Sequence, residues 1–272
     1  MSKLDPADYR DAMNAVTAIT IAAANSIGTS FSPGSVRIKA DGSPVTSADE
    51  AAEAVIRDGL ARLVRPFPII SEECSEGRTL PAQSDCYYLV DPLDGTKEFV
   101  AGRDEYTINI ALVSEGRPVL GVIAAPALGL IWRGIVGRGA ERLEFASGKA
   151  LSPQPIHSRS SPYGELIIMV SRSHLDPATE AYLKNLPHAR RIGCGSSLKF
   201  CRLAEGTADH YPRLGPTMDW DVAAGHAILT AAGGTVTELD GSPLKYGTAG
   251  LRIPSFLAWG DPAQAKNKAS GR

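Results

Sequence analysis

The chain has 272 residues, 43% of them apolar and 21% charged, with a formal net charge of −2; that is room for one large domain or two modest ones around a sizeable core. Acidic and basic residues are interspersed, which excludes the basic footprint of a nucleic-acid binder and the polybasic anchor of a membrane-surface protein. No apolar run approaches the roughly 18 residues of a spanning helix, and the opening Met1-Ser2-Lys3-Leu4-Asp5-Pro6 lacks the apolar core of a signal peptide.

A cytoplasmic location is therefore expected, with peripheral association with an inner membrane still compatible. Cys74, Cys86, Cys194 and Cys201 form no Cys-x-x-Cys pair and read as free thiols, mostly buried, in a reducing compartment.

Taken in chain order, the first helix is capped by Asp5, starts at Pro6 and ends at Gly28. Tyr9, Met13, Val16, Thr20, Ala23 and Ile27 share one face. A polar stretch follows, and Ser47-Ala48-Asp49-Glu50 reads as a capping box for a second helix burying Ala52, Ile56, Leu60 and Leu63. Pro68-Ile69-Ile70 and Tyr87-Tyr88-Leu89-Val90 read as short buried strands, each running straight into acidic residues. Tyr106 to Val113, Val119 to Ala125 and Leu130 to Val136, separated by tight turns, suggest an antiparallel meander.

The second half alternates. Strands are expected over Leu166 to Val170, Thr235 to Leu239 and Ser255 to Trp259, and helices over Pro177 to Leu186, Ser196 to Glu205 and Asp221 to Ala232. A Ser- and Pro-rich stretch from Ser147 to Ser161 marks the expected junction, giving units 1–155 and 156–272.

The chemistry concentrates at Asp91-Pro92-Leu93-Asp94-Gly95-Thr96. Asp91 ends a strand that is apolar throughout, a rigid place for a ligand. Pro92 is expected to stop the strand ladder, and Asp94 lies three residues on, so that both carboxylates can face one point. Gly95 permits close backbone approach, and Thr96 opens a short helix whose N–H groups suit phosphate. Hard cations such as Mg²⁺ want oxygen ligands, and two of them can hold an attacking water and a leaving oxygen in line. Asp-Pro and Asp-Gly are also ordinary turn dipeptides, so the hexapeptide alone reads equally as a turn. Glu72-Glu73, closing the other buried run, tips the balance towards a site.

These segments resemble the lithium-sensitive, magnesium-dependent phosphatase superfamily that includes the inositol monophosphatases. Asp91 to Thr96 matches its Asp-Pro-(Ile/Leu)-Asp-Gly-(Thr/Ser) hallmark, Trp220-Asp221-Val222-Ala223-Ala224-Gly225 its Trp-Asp helix, and Glu72-Glu73 its third motif, all in the right order. The resemblance implies a layered αβαβα sandwich of α+β and α/β character, with an antiparallel N-terminal sheet and a smaller C-terminal α/β sheet. It implies two or three Mg²⁺ ions on Glu72, Asp91, the Leu93 carbonyl, Asp94 and, from the second unit, Asp221. Thr96 with Glu72 would orient and deprotonate the attacking water, and Asp49 would support the site. Asp221 alone reads as a helix N-cap, and Asp49 alone as a first-turn acid.

Outside the metal motifs the chain looks most like the 3′(2′),5′-bisphosphate nucleotidase branch. The residues carrying that likeness run from Lys39 to Asp49, Ser171-Arg172-Ser173-His174, Gly195-Ser196-Ser197-Leu198-Lys199-Phe200 and Tyr211 to Thr217. The implied substrate is a small nucleotide bisphosphate, adenosine 3′,5′-bisphosphate, a by-product of sulfur assimilation, with AMP and phosphate as products. No nucleic-acid polymer is implied as a partner, and the oligomeric state stays open.

Implied substrate contacts are Gly95, Thr96, Ser171, Arg172, His174, Gly195, Ser196, Ser197, Lys199, Arg213 and Asp221. Lys199 and Arg213 supply the charge that a second phosphate needs. Asp219 is a candidate for substrate orientation and His226 reads as structural. An inositol monophosphatase-type enzyme and a non-catalytic nucleotide sensor are the competing readings; the intact acids argue against the sensor. Asp85-Cys86-Tyr87-Tyr88 replaces a Trp common before the Asp-Pro segment, a change in packing.

Overall fold

The computed structural model describes residues 6–30, 36–39, 42–74, 85–146, 149–160, 164–173 and 175–269. Helices α1 (Pro6–Ser30) and α2 (Ser47–Ala61) flank a two-stranded antiparallel ribbon of β1 (Arg37–Ile38) and β2 (Pro44–Val45). The large sheet is built from β3 (Ile69–Ser71), β4 (Cys86–Asp94), β5 (Thr107–Ser114), β6 (Arg117–Ala125), β7 (Leu130–Ile135), β8 (Gly139–Ala146), β9 (Lys149–Ala150) and β10 (Gln154–Ile156), with the short helix α3 (Thr96–Val100) between β4 and β5. Its order is β10-β8-β7-β6-β5-β4-β3, with β9 on β8. All pairs are antiparallel except β3 with β4.

The second sheet takes β11 (Ile167–Ser171), β12 (Arg190–Cys194), β13 (His210–Arg213), β15 (Thr235–Glu238) and β17 (Phe256–Trp259) in the order β12-β11-β13-β17-β15. Strand β11 runs parallel to both its neighbours. Strands β14 (Thr217–Met218) and β16 (Arg252–Ile253) form a separate pair, and the helices are α4 (Pro177–Leu183), α5 (Leu198–Ala204), α6 (Asp219–Ala231) and α7 (Pro262–Ala269).

Period-two alternation along β4 to β7 sorts side chains onto two faces. Tyr88, Val90, Ile110, Leu112 and Val122 join Val16, Ile27, Ile56 and Leu60 of α1 and α2. Tyr87, Leu89, Ala111, Val113 and Ile123 join Phe200 of α5, Ile228 of α6 and Tyr211 and Phe256 of the second sheet in one larger core. On the far side of that sheet Ile168 and Val170 pack on Leu183 of α4. The layers are thus αβαβα, as expected.

Helix α6 comes unusually close to the large sheet. A Cβ on Gly121 of β6 would stand 2.3 Å from the Ala224 carbonyl oxygen, and one on Gly134 of β7 would stand 2.8 Å from Ala231 Cβ. The helix rests on strand backbone because those positions carry no side chain.

Some local expectations shift. Gly28 lies inside α1, which runs on to Ser30 without a left-handed turn at that residue; Asp5 is outside the described residues. The capping box of α2 is anchored one residue earlier, on Thr46, whose Oγ1 accepts from Ala48 N at 3.1 Å. Leu63 packs just beyond the helix end. Pro92 does not stop the β4–β5 ladder. Pro92 and Leu93 together oppose Ile108, a bulge between Asp91↔Asn109 and Asp94↔Thr107. Helix α6 begins at Asp219, so Asp221 lies in its first turn and is not the N-cap.

Candidate active site

Three chain segments bring acids together. The parallel β3–β4 pair sets Ser71 beside Val90, and Glu72 N donates to Val90 O at 3.1 Å, so Glu72 and Asp91 come side by side where that parallel pairing ends. The bulge turns Asp94 out of line, and the first turn of α6 brings Asp221 from the other half of the chain. One carboxylate oxygen each from Glu72, Asp91 and Asp221 lie within 4.8 Å of one another.

This crowding has an electrostatic signature. Burial raises Asp91 well above the carboxylate range, and the charges of Glu72, Asp94 and Asp221 raise it further. Asp221 is pushed up to about 7 by burial and by Asp94 and Glu72. Asp94 is raised by burial too, with Lys199, Ser197 and Asn109 pulling it back. Glu73 rises to about 7 by burial, against the pull of Lys39. Lys39 Nζ bridges the tandem pair, 2.9 Å from Glu72 Oε1 and 2.5 Å from Glu73 Oε1. Hard oxygen donors, packed and mutually repelling, fit a divalent cation of the Mg²⁺ type.

Each acid is held. Asp91 Oδ1 accepts from Leu93 N at 3.0 Å. Asp94 Oδ2 accepts from Ser197 N, Ser197 Oγ and Asn109 Nδ2 at 2.8, 2.9 and 3.4 Å. Asp221 Oδ2 accepts from Thr217 Oγ1 and Met218 N at 2.7 and 2.9 Å. Thr96 has one hydroxyl proton for two acceptors, Leu93 O at 3.1 Å and Asp49 Oδ1 at 3.2 Å. Asp49, raised by burial, spends Oδ2 on Thr46 N and Thr46 Oγ1 at 2.8 and 2.6 Å.

A cavity of about 370 Å³ joins these acids to a basic wall. Glu72, Asp91, Leu93, Asp94, Gly95, Thr96, Ser171, Arg172, Gly195, Ser196, Ser197, Lys199, Arg213 and Asp221 all line it. Asp49 is set behind Thr96, and His174 lies outside the described residues. Lys199 is buried, its Nζ donating to Ser196 O at 2.5 Å and Cys194 O at 3.3 Å, above the Tyr211 ring. Arg213 donates to Ser171 Oγ and Pro216 O, both at 2.9 Å, and its buried Nε has no partner among the described residues. Arg172 is engaged by Glu105 through Nε at 2.7 Å and Nη2 at 2.6 Å.

Asp219 does not line the cavity. It is fully buried and pushed up to about 6 by burial, with Oδ2 accepting from Gly247 N at 2.6 Å, so it ties down a loop. His226 Nδ1 pairs with Tyr246 OH at 2.9 Å.

Sequence reasoning missed Glu98, whose carboxylate accepts from Ser173 Oγ at the cavity wall, and the polar pair Thr107 and Asn109. The latter had a signal: two polar residues at alternate positions in the apolar run of β5, in register with Asp94 and Asp91.

Residues 8–269 match the Inositol monophosphatase family. Over 214 residues the chain is 44% identical to the 3′(2′),5′-bisphosphate nucleotidase CysQ of Escherichia coli (strain K12), covering 79% of this chain and 84% of that one. It is 31% identical over 229 residues to the protein of the same name from Haemophilus influenzae, covering 83% and 84%. Among solved structures, CysQ from Bacteroides thetaiotaomicron superposes with a TM-score of 0.81 at 35% identity, covering 92% of this chain and 97% of that one. An inositol monophosphatase from Zymomonas mobilis gives 0.76 at 28% identity, covering 96% and 97%.

Proposed function

This chain belongs to the inositol monophosphatase family, and from that premise we propose that it hydrolyses the 3′-phosphate of adenosine 3′,5′-bisphosphate to give AMP and phosphate. The observation that carries the reading is one cavity lined both by the crowded acids and by Lys199 and Arg213. A substrate with two phosphates needs both kinds of lining, and its small size suits about 370 Å³.

The family is Mg²⁺-dependent, and on this reading Glu72, Asp91, Asp94, Asp221 and the Leu93 carbonyl would hold two or three ions. Mg²⁺, when bound, neutralises phosphate charge and acidifies the attacking water. Thr96 donates its hydroxyl hydrogen bond to Asp49 Oδ1 or to the Leu93 carbonyl oxygen, which leaves a lone pair of its own Oγ1 facing outward to accept from that water and orient it. Glu72 takes the water's proton as its oxygen bonds to phosphorus. The bond from phosphorus to the 3′-oxygen breaks, that oxygen takes a proton from solvent as AMP leaves, and Glu72 returns the water's proton to solvent.

The second phosphate is met by Lys199, by Arg213 with its unpartnered Nε, and by donors of Ser171, Ser196 and Ser197. Gly95, Gly195, Arg172 and His174 complete the proposed contacts. The division into units 1–155 and 156–272 belongs to the same reading; the sheet changes between Ile156, the last residue of β10, and Ile167, so that boundary falls one residue inside the strand. A cytoplasmic location belongs to that reading too. Among the described residues no helix is long and apolar enough to cross a membrane.

The test is phosphate release with Mg²⁺ from adenosine 3′,5′-bisphosphate, inositol 1-phosphate and fructose 1,6-bisphosphate. The nucleotide is expected to be preferred. A preference for inositol 1-phosphate moves the chain to the inositol monophosphatase reading, and nucleotide binding without turnover at any Mg²⁺ concentration marks a sensor.

A further inference from the structure

The cavity wall includes a turn that its own backbone disfavours. Ser196 sits at φ +44°, a left-handed conformation that residues with a side chain seldom hold unless neighbours enforce it. Thr107 Oγ1 donates to Ser196 Oγ at 3.1 Å, and Lys199 Nζ to Ser196 O at 2.5 Å. On one side of it, Gly195 N donates to Glu105 Oε2 at 2.8 Å. A Cβ at 195 would stand 2.6 Å from the Glu105 carbonyl oxygen, so the two segments touch backbone to backbone. On the other side, Ser197 N donates to Asp94 Oδ2 at 2.8 Å, and the one Ser197 hydroxyl proton lies between Asp94 Oδ2 at 2.9 Å and Asp221 O at 3.0 Å. Among the described residues no donor reaches Asp94 Oδ1.

Glu105 comes from the loop between α3 and β5, far in sequence from the turn it grips. The Arg172 fork fixes its carboxylate, and Oε2 then receives both Arg172 Nε and Gly195 N. We propose that Glu105 is a positioning residue for the metal centre. Its Oε2 anchors Gly195, which sets the Ser196 turn, which aims Ser197 N, with the Ser197 hydroxyl beside it, at one oxygen of Asp94 and leaves the other to a cation. The proposal rests on reading Asp94 as a residue that holds metal.

Two mild substitutions separate reach from charge. Glu105→Gln keeps an acceptor oxygen at full reach and loses the ion pair with Arg172. Glu105→Asp keeps the charge and withdraws the acceptor by about 1.5 Å. The readout is Mn²⁺ binding to the full chain, followed by the free-ion electron paramagnetic resonance signal, alongside melting temperature and the Mg²⁺ dependence of kcat.

Glu105→Asp is expected to bind Mn²⁺ about 10–100-fold more weakly, the usual effect of losing a residue that orients a metal ligand. Glu105→Gln is expected to stay within about fivefold of wild type, the size of a part-exposed ion pair. Equal binding by all three proteins overturns the proposal, and so does the reverse order, which would assign the residue to the ion pair alone. If the expected order holds while adenosine 3′,5′-bisphosphate is not hydrolysed, the substrate reading falls and this proposal stands.

Discussion

Asp94→Asn leaves an oxygen for the three donors that now converge on Oδ2 and removes the charge a cation needs. Turnover should fall at least about a hundredfold, measured as phosphate release at saturating Mg²⁺; activity near wild type would remove Asp94 from the site. His226 gives a pH effect of known sign. Desolvation pushes its imidazole down from 6.5 to about 4. Between those values the unfolded chain takes up a proton that the folded one refuses, so stability falls as pH falls through that window. His226→Gln should lose less stability than wild type between pH 7 and pH 5, read from urea midpoints. At this scale the acids were legible because each ends an apolar run or opens a helix. Glu105 was not. Its meaning lies in Gly195, 90 residues away, and no local pattern records such a pairing.

Helix α6 delivers Asp221 through its seat on the large sheet. Gly121→Ala would drive a methyl group into the Ala224 carbonyl, and lifting the helix should cost about 1–3 kcal/mol, measured by urea denaturation. Turnover should drop with it, since Asp221 rides on the same helix; unchanged stability and activity would show that the helix can move freely. The elements that could be read ahead were those with unbroken apolar runs, β4 to β7, or clear helical faces, α1 and α2. Strands β12 and β13 escaped. Arg190-Arg191-Ile192-Gly193-Cys194 is an edge strand with charged, exposed residues, and His210-Tyr211-Pro212-Arg213 carries a proline. Neither has the alternation that marks a strand, and tertiary packing alone makes them so. The bulge at Pro92 was invisible for a related reason: a proline forbids one ladder hydrogen bond, and whether the strand resumes depends on β5.

Across the whole molecule, the acid cluster joins Glu72 and Asp91 from the large sheet to Asp221 from beyond the second one's first strands. Their repulsion opposes the closed arrangement, so a divalent ion should stabilise the fold. At ten times its Kd, Mg²⁺ should raise the melting temperature by roughly 3 °C over protein in EDTA; scanning fluorimetry showing no rise would count against a shared site. The order of layers was legible only through the family resemblance. Periodicity gave a meander followed by alternation, but it could not say that both halves press on one core, because Ile123, Phe200 and Phe256 meet only after the chain has turned back on itself.

The glycine under α6 has an evolutionary consequence. With the Ala224 carbonyl oxygen only 2.3 Å from where a Cβ at position 121 would be, the height of the helix above the sheet is set by two backbones, and residue 121 does not line the cavity. A lineage that acquired a side chain there would have to reseat the helix and rebuild the acid cluster at once. Position 121 should therefore be as closed to drift as the acids themselves, and a reader of sequence variation alone would mistake it for a residue of the chemistry.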